Sequence, residues 1–279
     1  MYIVKGNYIF FHIDKTGGKS IYEYFLQHNM LEFANEHGKY SDLFPNKNGL
    51  YVDMKLSPIT RESSLITTSK SPEEQTENDK KIFEQEADSM MLFLEKIVQN
   101  PDQILKNCKL FATIRNPIDW YISFYHQNLR NPRKEGSKSY SNICKALSFK
   151  EFINEYLEGK NIGLYTKMMC NYTLPININT KARINNEQKD FLYKNFDELC
   201  PPITFLKIEN IKEEMLKHVP ELCSDLENSE FIHVNKGTAG YDESRKKYLE
   251  FFDKSREFLL QKEDMLREKD KLIFEKAGY

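Results

Sequence analysis

The stretch Tyr8-Ile9-Phe10-Phe11-His12-Ile13-Asp14-Lys15-Thr16-Gly17-Gly18-Lys19-Ser20-Ile21-Tyr22-Glu23-Tyr24-Phe25-Leu26 decides the fold class. Tyr8 to Ile13 are mostly β-branched or aromatic and too few for a helix, so they predict a buried strand. A tight glycine loop follows from Lys15 to Ser20. Apolar residues at Ile21, Tyr24 and Phe25 then take up helical spacing, with His28 extending the stripe. Two glycines let the backbone approach a ligand closely, and main-chain N–H groups at a helix start attract negative charge. Strand, glycine loop and helix together predict an anion site of phosphate type at Lys15-Thr16-Gly17-Gly18-Lys19-Ser20.

A Walker A loop needs Gly-x-x-x-x-Gly-Lys-Ser. Gly18-Lys19-Ser20 supplies the end of that pattern, but Ile13 stands where its first glycine belongs. A kinase with a degenerate loop is therefore the weaker enzymatic expectation. It would also need Mg²⁺ and an acid at the end of a neighbouring strand.

Further along, Lys109 to Ile114 predict a second strand, closed by Arg115-Asn116-Pro117. The proline opens a helix that carries Trp120, Tyr121, Phe124 and Tyr125. Arg115 stands where a kinase would hold its metal-binding acid. At a strand end its guanidinium can fork onto a phosphate, and Ser123, two turns into the helix, offers a hydroxyl to the same group. Ile203 to Ile208 read as a third central strand. Helical spacing at Ser148 to Leu157 and at Glu187 to Phe196 separates the strands, which predicts an α/β protein with a parallel central sheet flanked by helices, in one domain over 1–279.

Between the first two strands the composition changes. Lys55 to Ser89 are rich in Ser, Thr, Pro and Glu, and from Glu73 to Asp88 seven acids face only Lys80 and Lys81. That segment predicts a solvated insert, with a helix following from Met90 to Val98 and ending near Asn100-Pro101. The stretch Asp242 to Lys276 is charged and helical, with apolar doublets at Phe251-Phe252, Phe258-Leu259, Met265-Leu266 and Leu272-Ile273, seven residues apart. Such a stripe packs on the domain or on a partner helix, giving a homo-oligomer. Ser255, Lys262 and Lys269 spoil a coiled-coil seam and favour the domain.

Forty Lys and Arg against 42 Asp and Glu give a net charge of −2 over 279 residues, which leaves no global basic field to hold a nucleic acid or an anionic membrane. No apolar run approaches the ~20 residues of a membrane span. Asp14 and Lys15 interrupt the first apolar segment too early for a signal peptide, so a cytoplasmic location is expected. Cys108, Cys144, Cys170, Cys200 and Cys223 stand singly, which predicts reduced, buried thiols rather than a zinc site or a disulfide framework.

Phe10 to Ile21 resembles the 5′-phosphosulfate loop of the sulfotransferase superfamily, whose carbohydrate-modifying branch carries F-H-I-P-K-T-G-G-T-S. Asp14 replaces the usual Pro, which is expected to loosen the loop slightly, and Lys19 replaces Thr or Ala, adding a cation. Phe111 to Tyr125 is similar to the family's 3′-phosphate motif, F-x-x-x-R-N-P-x-(D)-R-x-x-S-x-Y. Trp120 stands where the family often has Arg, which is expected to weaken polar contacts at the helix start. Ile232-His233-Val234-Asn235-Lys236-Gly237-Thr238 resembles the late segment that closes over the 3′-phosphate. Ile203 to Glu209 looks like the family's V-x-x-x-E strand, and Leu272 to Tyr279 its closing aromatic helix. The likeness covers most of the chain with gaps and is poorest from Lys55 to Asn100.

The resemblance implies a P-loop-like sulfotransferase fold and a donor, 3′-phosphoadenosine 5′-phosphosulfate, leaving as 3′-phosphoadenosine 5′-phosphate. The acceptor would be a carbohydrate or other hydroxylated molecule, with no metal required. Lys15 would contact the bridging oxygen. Thr16, Gly17, Gly18, Lys19 and Ser20 would hold the 5′-phosphate, and Arg115, Ser123, Lys236 and Gly237 the 3′-phosphate. His37 is the expected base, having the right ordinary pKa for proton abstraction near neutrality, with Glu36 beside it as the fallback. Arg130, Arg133, Lys134 and Lys138 form a basic loop that can attract an acidic glycan or simply be solvated. A non-catalytic nucleotide-binding protein that associates through its C-terminal helix is the remaining alternative.

Overall fold

The computed structural model describes residues 2–4, 7–34, 107–131, 139–157, 162–174, 193–198, 200, 202–223 and 242–279. The insert at 55–89, the helix expected at 90–98 and the late segment 232–238 lie outside the described residues.

The three expected strands form and run parallel: β2 (Tyr8–Phe11), β4 (Lys109–Ile114) and β5 (Ile203–Lys207). The sheet is wider than expected and mixed, because β1 (Tyr2–Val4) and β3 (Leu31–Ala34) add antiparallel pairs in the order β3-β1-β2-β4-β5. These two strands have three and four residues, too short for a reliable period-2 signature. β2 ends at Phe11 rather than Ile13, and β5 passes at Ile208 into a 3₁₀ turn.

Side chains alternate across a strand, so each strand feeds two cores. Ile9, Phe11, Leu110, Ala112 and Ile114 point to one face. There they meet α2 (Pro117–Arg130), α3 (Tyr140–Ala146), α4 (Phe149–Leu157) and α5 (Leu164–Thr173). Tyr8, Phe10, Phe111 and Leu206 point to the other face, against α1 (Gly18–Gln27) and α6 (Ile211–His218). Phe111 is fully buried, with Phe10 stacked at 5.1 Å and Phe25 edge-on at 6.2 Å. Burial of each such ring contributes about 1.5–3 kcal/mol.

Beyond β5 the chain forms α7 (Asp242–Leu260), α8 (Glu263–Lys269) and α9 (Lys271–Ala277), three helices where the sequence predicts one. The apolar doublets face the domain, with Leu259, Leu266, Leu272 and Ile273 buried in the first core. Their junction is fixed by Asp270, which is fully buried. It accepts from the Tyr121 hydroxyl at 2.8 Å and from the Thr166 N–H at 2.7 Å. The five cysteines are free, and burial pushes the Cys144 and Cys200 thiols up to about 12.

Candidate functional site

β2 and β4 are parallel neighbours, with Phe11 opposite Ala112, so the segments leaving their carboxyl ends start side by side. In open α/β sheets ligands bind at such carboxyl ends. The segment after β2 turns sharply: Lys15 has φ 68 and Gly17 φ 79, both left-handed. Only glycine adopts this conformation without cost, and a lysine held there is a strained residue of the kind that clusters at functional sites. Both glycines are also required by their neighbours. A Cβ at Gly17 would run into the Ile208 side chain, and one at Gly18 into the His12 ring.

The loop is braced rather than loosened. The Thr16 hydroxyl donates to the Ile13 carbonyl at 2.7 Å and lies 2.9 Å from the Thr113 hydroxyl of β4, with both residues fully buried. The Trp120 indole N–H donates to the Asp14 carbonyl at 2.7 Å. Asp14 in place of proline therefore leaves the turn fixed from two sides. Thr16 serves as the brace, its hydroxyl already engaged with two protein oxygens.

α1 starts at Gly18 with Gly17 as a cap that has no side chain, and its first turn carries no acid. The first N–H groups of a helix have no carbonyl within the helix to meet. Ser20 N–H turns back to the Gly17 carbonyl at 3.0 Å, and Gly18 and Lys19 are the first two residues of the helix, with no carbonyl four residues back inside it. Ser20 itself is 9% exposed. By contrast α2 is closed at its start: the Asn116 side chain accepts from the Ile118 N–H at 3.0 Å, and Asp119 occupies the first turn. The two helix starts thus differ electrostatically, and α1 is the one open to an anion.

Arg115, half-buried, leaves β4 with its N–H donating to the Tyr165 hydroxyl at 2.8 Å. Asn116 N–H donates to Glu209 Oε1 at 2.6 Å, and the Tyr279 hydroxyl donates to Glu209 Oε2 at 2.6 Å. β5 and the C-terminal helices therefore support the Arg-Asn-Pro turn through one carboxylate. Trp120, expected to weaken polar contacts there, is instead fully buried and stacked on Tyr165 at 4.3 Å.

Asp119, Ser123, His126 and Arg130 follow at helical spacing on the less buried side of α2. α7 lies along it: the Tyr248 ring is 4.5 Å from His126, and Arg256 Nε is 3.6 Å from Asp119 Oδ1. Burial raises the Asp119 carboxyl, against the pull of Arg115 and Arg256. Burial, then Arg130 and Lys15, hold the His126 imidazole below its ordinary value. These couplings bring Lys15, Arg115, Asp119 and His126 into one electrostatic neighbourhood.

Family models identify the chain over residues 2–225 as the sulfotransferase family. The chain belongs to that family. Its membership implies a transferase of sulfuryl groups, and the α/β architecture agrees. No curated protein and no solved structure matches the chain.

Of the residues expected at the candidate site, the structure places Lys15, the Thr16 to Ser20 backbone, Arg115 and the helix that carries Ser123 after the neighbouring carboxyl ends of β2 and β4. His37, Glu36, Lys236, Gly237, Arg133, Lys134 and Lys138 lie outside the described residues. Sequence reasoning assigned no role to Tyr165, Glu209, Asp119, Tyr248 or Arg256. Their hydrogen-bond, ring and ion-pair partners lie 45 to 137 positions away, so even where a motif includes one of them, as with Glu209, nothing local shows what it holds. A cavity of about 530 Å³ lies along β5, the outer strand, lined by Phe205, Lys207, His218 and Lys276. Two of its lysines are engaged: Lys276 with Asp197, and Lys207 with the Gly278 carbonyl. Among the described residues no His, Cys, Asp and Glu cluster is arranged for a metal, and no helix is long and apolar enough to cross a membrane.

Proposed function

We propose that the protein transfers a sulfuryl group from 3′-phosphoadenosine 5′-phosphosulfate to a hydroxyl of a carbohydrate or other hydroxylated acceptor by in-line displacement. The observation that carries this reading is the pairing of two anion-suited segments on adjacent parallel strands: the left-handed Lys15 to Gly17 turn before the open start of α1, and Arg115 at the end of β4. Two separated anion sites suit a donor with phosphate at both its 3′ and 5′ positions. The donor supplies an activated sulfuryl group on a phosphate leaving group.

The chain's own residues have three tasks. The N–H groups of Gly18 and Lys19 at the α1 start would hold the 5′-phosphate, with the Ser20 hydroxyl, and the Lys15 ammonium would meet charge building on the bridging oxygen. Arg115 and Ser123 would hold the 3′-phosphate, joined by Lys236 and Gly237. His37 would accept the proton of the acceptor hydroxyl. Thr16 acts through the loop it braces.

Calorimetric titration with 3′-phosphoadenosine 5′-phosphate, beside ATP with Mg²⁺, tests the reading. Micromolar affinity for the bisphosphate without added metal, about −8 kcal/mol, is expected, and is lost in Arg115→Ala. Tight ATP binding that requires Mg²⁺, with none for the bisphosphate, would replace the sulfotransferase donor by a kinase substrate. Bisphosphate binding with no sulfuryl transfer to any hydroxylated acceptor would leave a nucleotide-binding protein.

A further inference from the structure

We propose that Trp120 and Tyr165 form a positioning pair that locks the two anion-binding segments to each other, Trp120 holding the Lys15 turn and Tyr165 holding Arg115. The inference rests on the donor reading above and deepens it.

The two rings are nearly coplanar in orientation, 3° apart, with centroids 4.3 Å apart, and both residues are fully buried. Phe124, one turn along α2, stacks on the indole at 4.8 Å and further restricts it. Each ring carries one polar contact, and each contact falls on a different segment. The indole N–H donates to the Asp14 carbonyl, and the Tyr165 hydroxyl accepts from the Arg115 N–H. A planar trans peptide points its carbonyl and N–H in opposite directions. Fixing the Asp14 carbonyl on the indole therefore directs the Lys15 N–H to the other side and restrains a residue already held left-handed at φ 68. Fixing the Arg115 N–H on Tyr165 likewise sets the backbone from which the guanidinium extends. Movement of one ring in a stacked, buried pair displaces the other, so the spacing of the two segments is set by a stack that touches neither anion.

Trp120→Phe keeps a stacking ring and removes the N–H, and Tyr165→Phe keeps the ring and removes the acceptor. The full chain is titrated with 3′-phosphoadenosine 5′-phosphate, adenosine 5′-phosphate and adenosine 3′-phosphate. Loss of one hydrogen bond predicts that Trp120→Phe weakens the 5′-phosphate by about fivefold to tenfold and, passed on through the stack, the 3′-phosphate by a smaller factor of about twofold to threefold. Tyr165→Phe should give the reverse preference. Equal losses for both monophosphates, or none in either variant, would overturn the pairing and leave the rings as core packing.

A ligand-free measurement separates this from failure of the donor reading. Amide hydrogen exchange at Arg115 should accelerate in Trp120→Phe, although Trp120 makes no bond to that amide, and exchange at Lys15 should accelerate in Tyr165→Phe. Unchanged exchange at both would sink the coupling even if the bisphosphate binds. Accelerated exchange in a protein that binds no bisphosphate would uphold the coupling and reject the donor. Trp120 is the chain's single tryptophan. Its indole N–H resonance in ¹⁵N-labelled wild type gives a check that needs no variant: addition of adenosine 5′-phosphate shifts it, and a stationary signal under saturating ligand counts against the pair.

Discussion

The Thr16 and Thr113 hydroxyls lie 2.9 Å apart in a site with no solvent exposure, and they join the turn after β2 to the middle parallel strand. Thr16 also donates to the Ile13 carbonyl, so Thr113 donates across the gap. Thr16→Val leaves the buried Thr113 hydroxyl without its acceptor, while the Ile13 carbonyl keeps the residue-16 N–H at 3.3 Å, at a cost of about 1–3 kcal/mol. The double variant Thr16→Val with Thr113→Val should cost less than the sum of the two single changes, because both ends of the pair are then apolar. Urea unfolding of the four proteins measures this cycle, and strict additivity would argue against the pair.

Lys15 combines a charge with an unfavourable backbone conformation, and two substitutions separate them. Lys15→Ala and Lys15→Gly both remove the ammonium, so both should lower kcat by about 10²–10³-fold if it meets developing charge. The glycine variant should be more stable than the alanine variant by about 1 kcal/mol, since only glycine accepts φ 68 without strain. Steady-state kinetics and urea denaturation read the two effects independently.

Arg115 and Glu209 should respond in opposite ways to the same pair of assays. Arg115→Ala is expected to lower bisphosphate affinity by about 100-fold or more with an unfolding midpoint near wild type, because a half-buried guanidinium serves the ligand. Glu209→Ala removes the acceptor of both the Asn116 N–H and the Tyr279 hydroxyl, and should cost about 1–3 kcal/mol of stability. Calorimetry beside thermal unfolding distinguishes them.

Asp270 gives the protein a pH dependence of defined sign. Burial raises its carboxyl to about 6, while the Thr166 N–H and the Tyr121 hydroxyl pull the other way. The folded state therefore holds the proton more tightly than the unfolded chain, whose ordinary value is about 3.9. The favourable contribution is fully present below that ordinary value and is lost as pH rises through about 6. Relative to Asp270→Asn, wild-type stability should fall by about 2 kcal/mol between pH 4.5 and 7.5. A difference independent of pH would mean that the carboxyl titrates normally in the fold.

Much of the frame is legible along the chain. β2, β4 and β5 are runs of β-branched and aromatic residues long enough to be recognised, and Gly17-Gly18 and Asn116-Pro117 mark where two of them hand over to helices. β1 and β3 escape notice because three or four residues carry too little pattern, and they gain strand character by pairing with β2 and with each other. At the site, Lys15 and Arg115 are legible because their motifs are local. The Thr16 hydroxyl is engaged within the protein, and a hydroxyl next to a glycine loop looks the same in sequence whether it faces a ligand or a buried threonine 97 residues away.

The sequence by itself determined the order of the elements, the left-handed turn that Gly17 permits, and the placement of Lys15 and Arg115 at strand ends, since these depend on neighbours within a few positions. Tertiary structure alone decided that Trp120 would be a buried brace rather than a weakened polar contact, and that Glu209 would hold the Arg-Asn-Pro turn. Those outcomes depend on which surfaces meet after folding. A side chain's partner is then set by three-dimensional packing, and the chain distance between the two carries no trace of it.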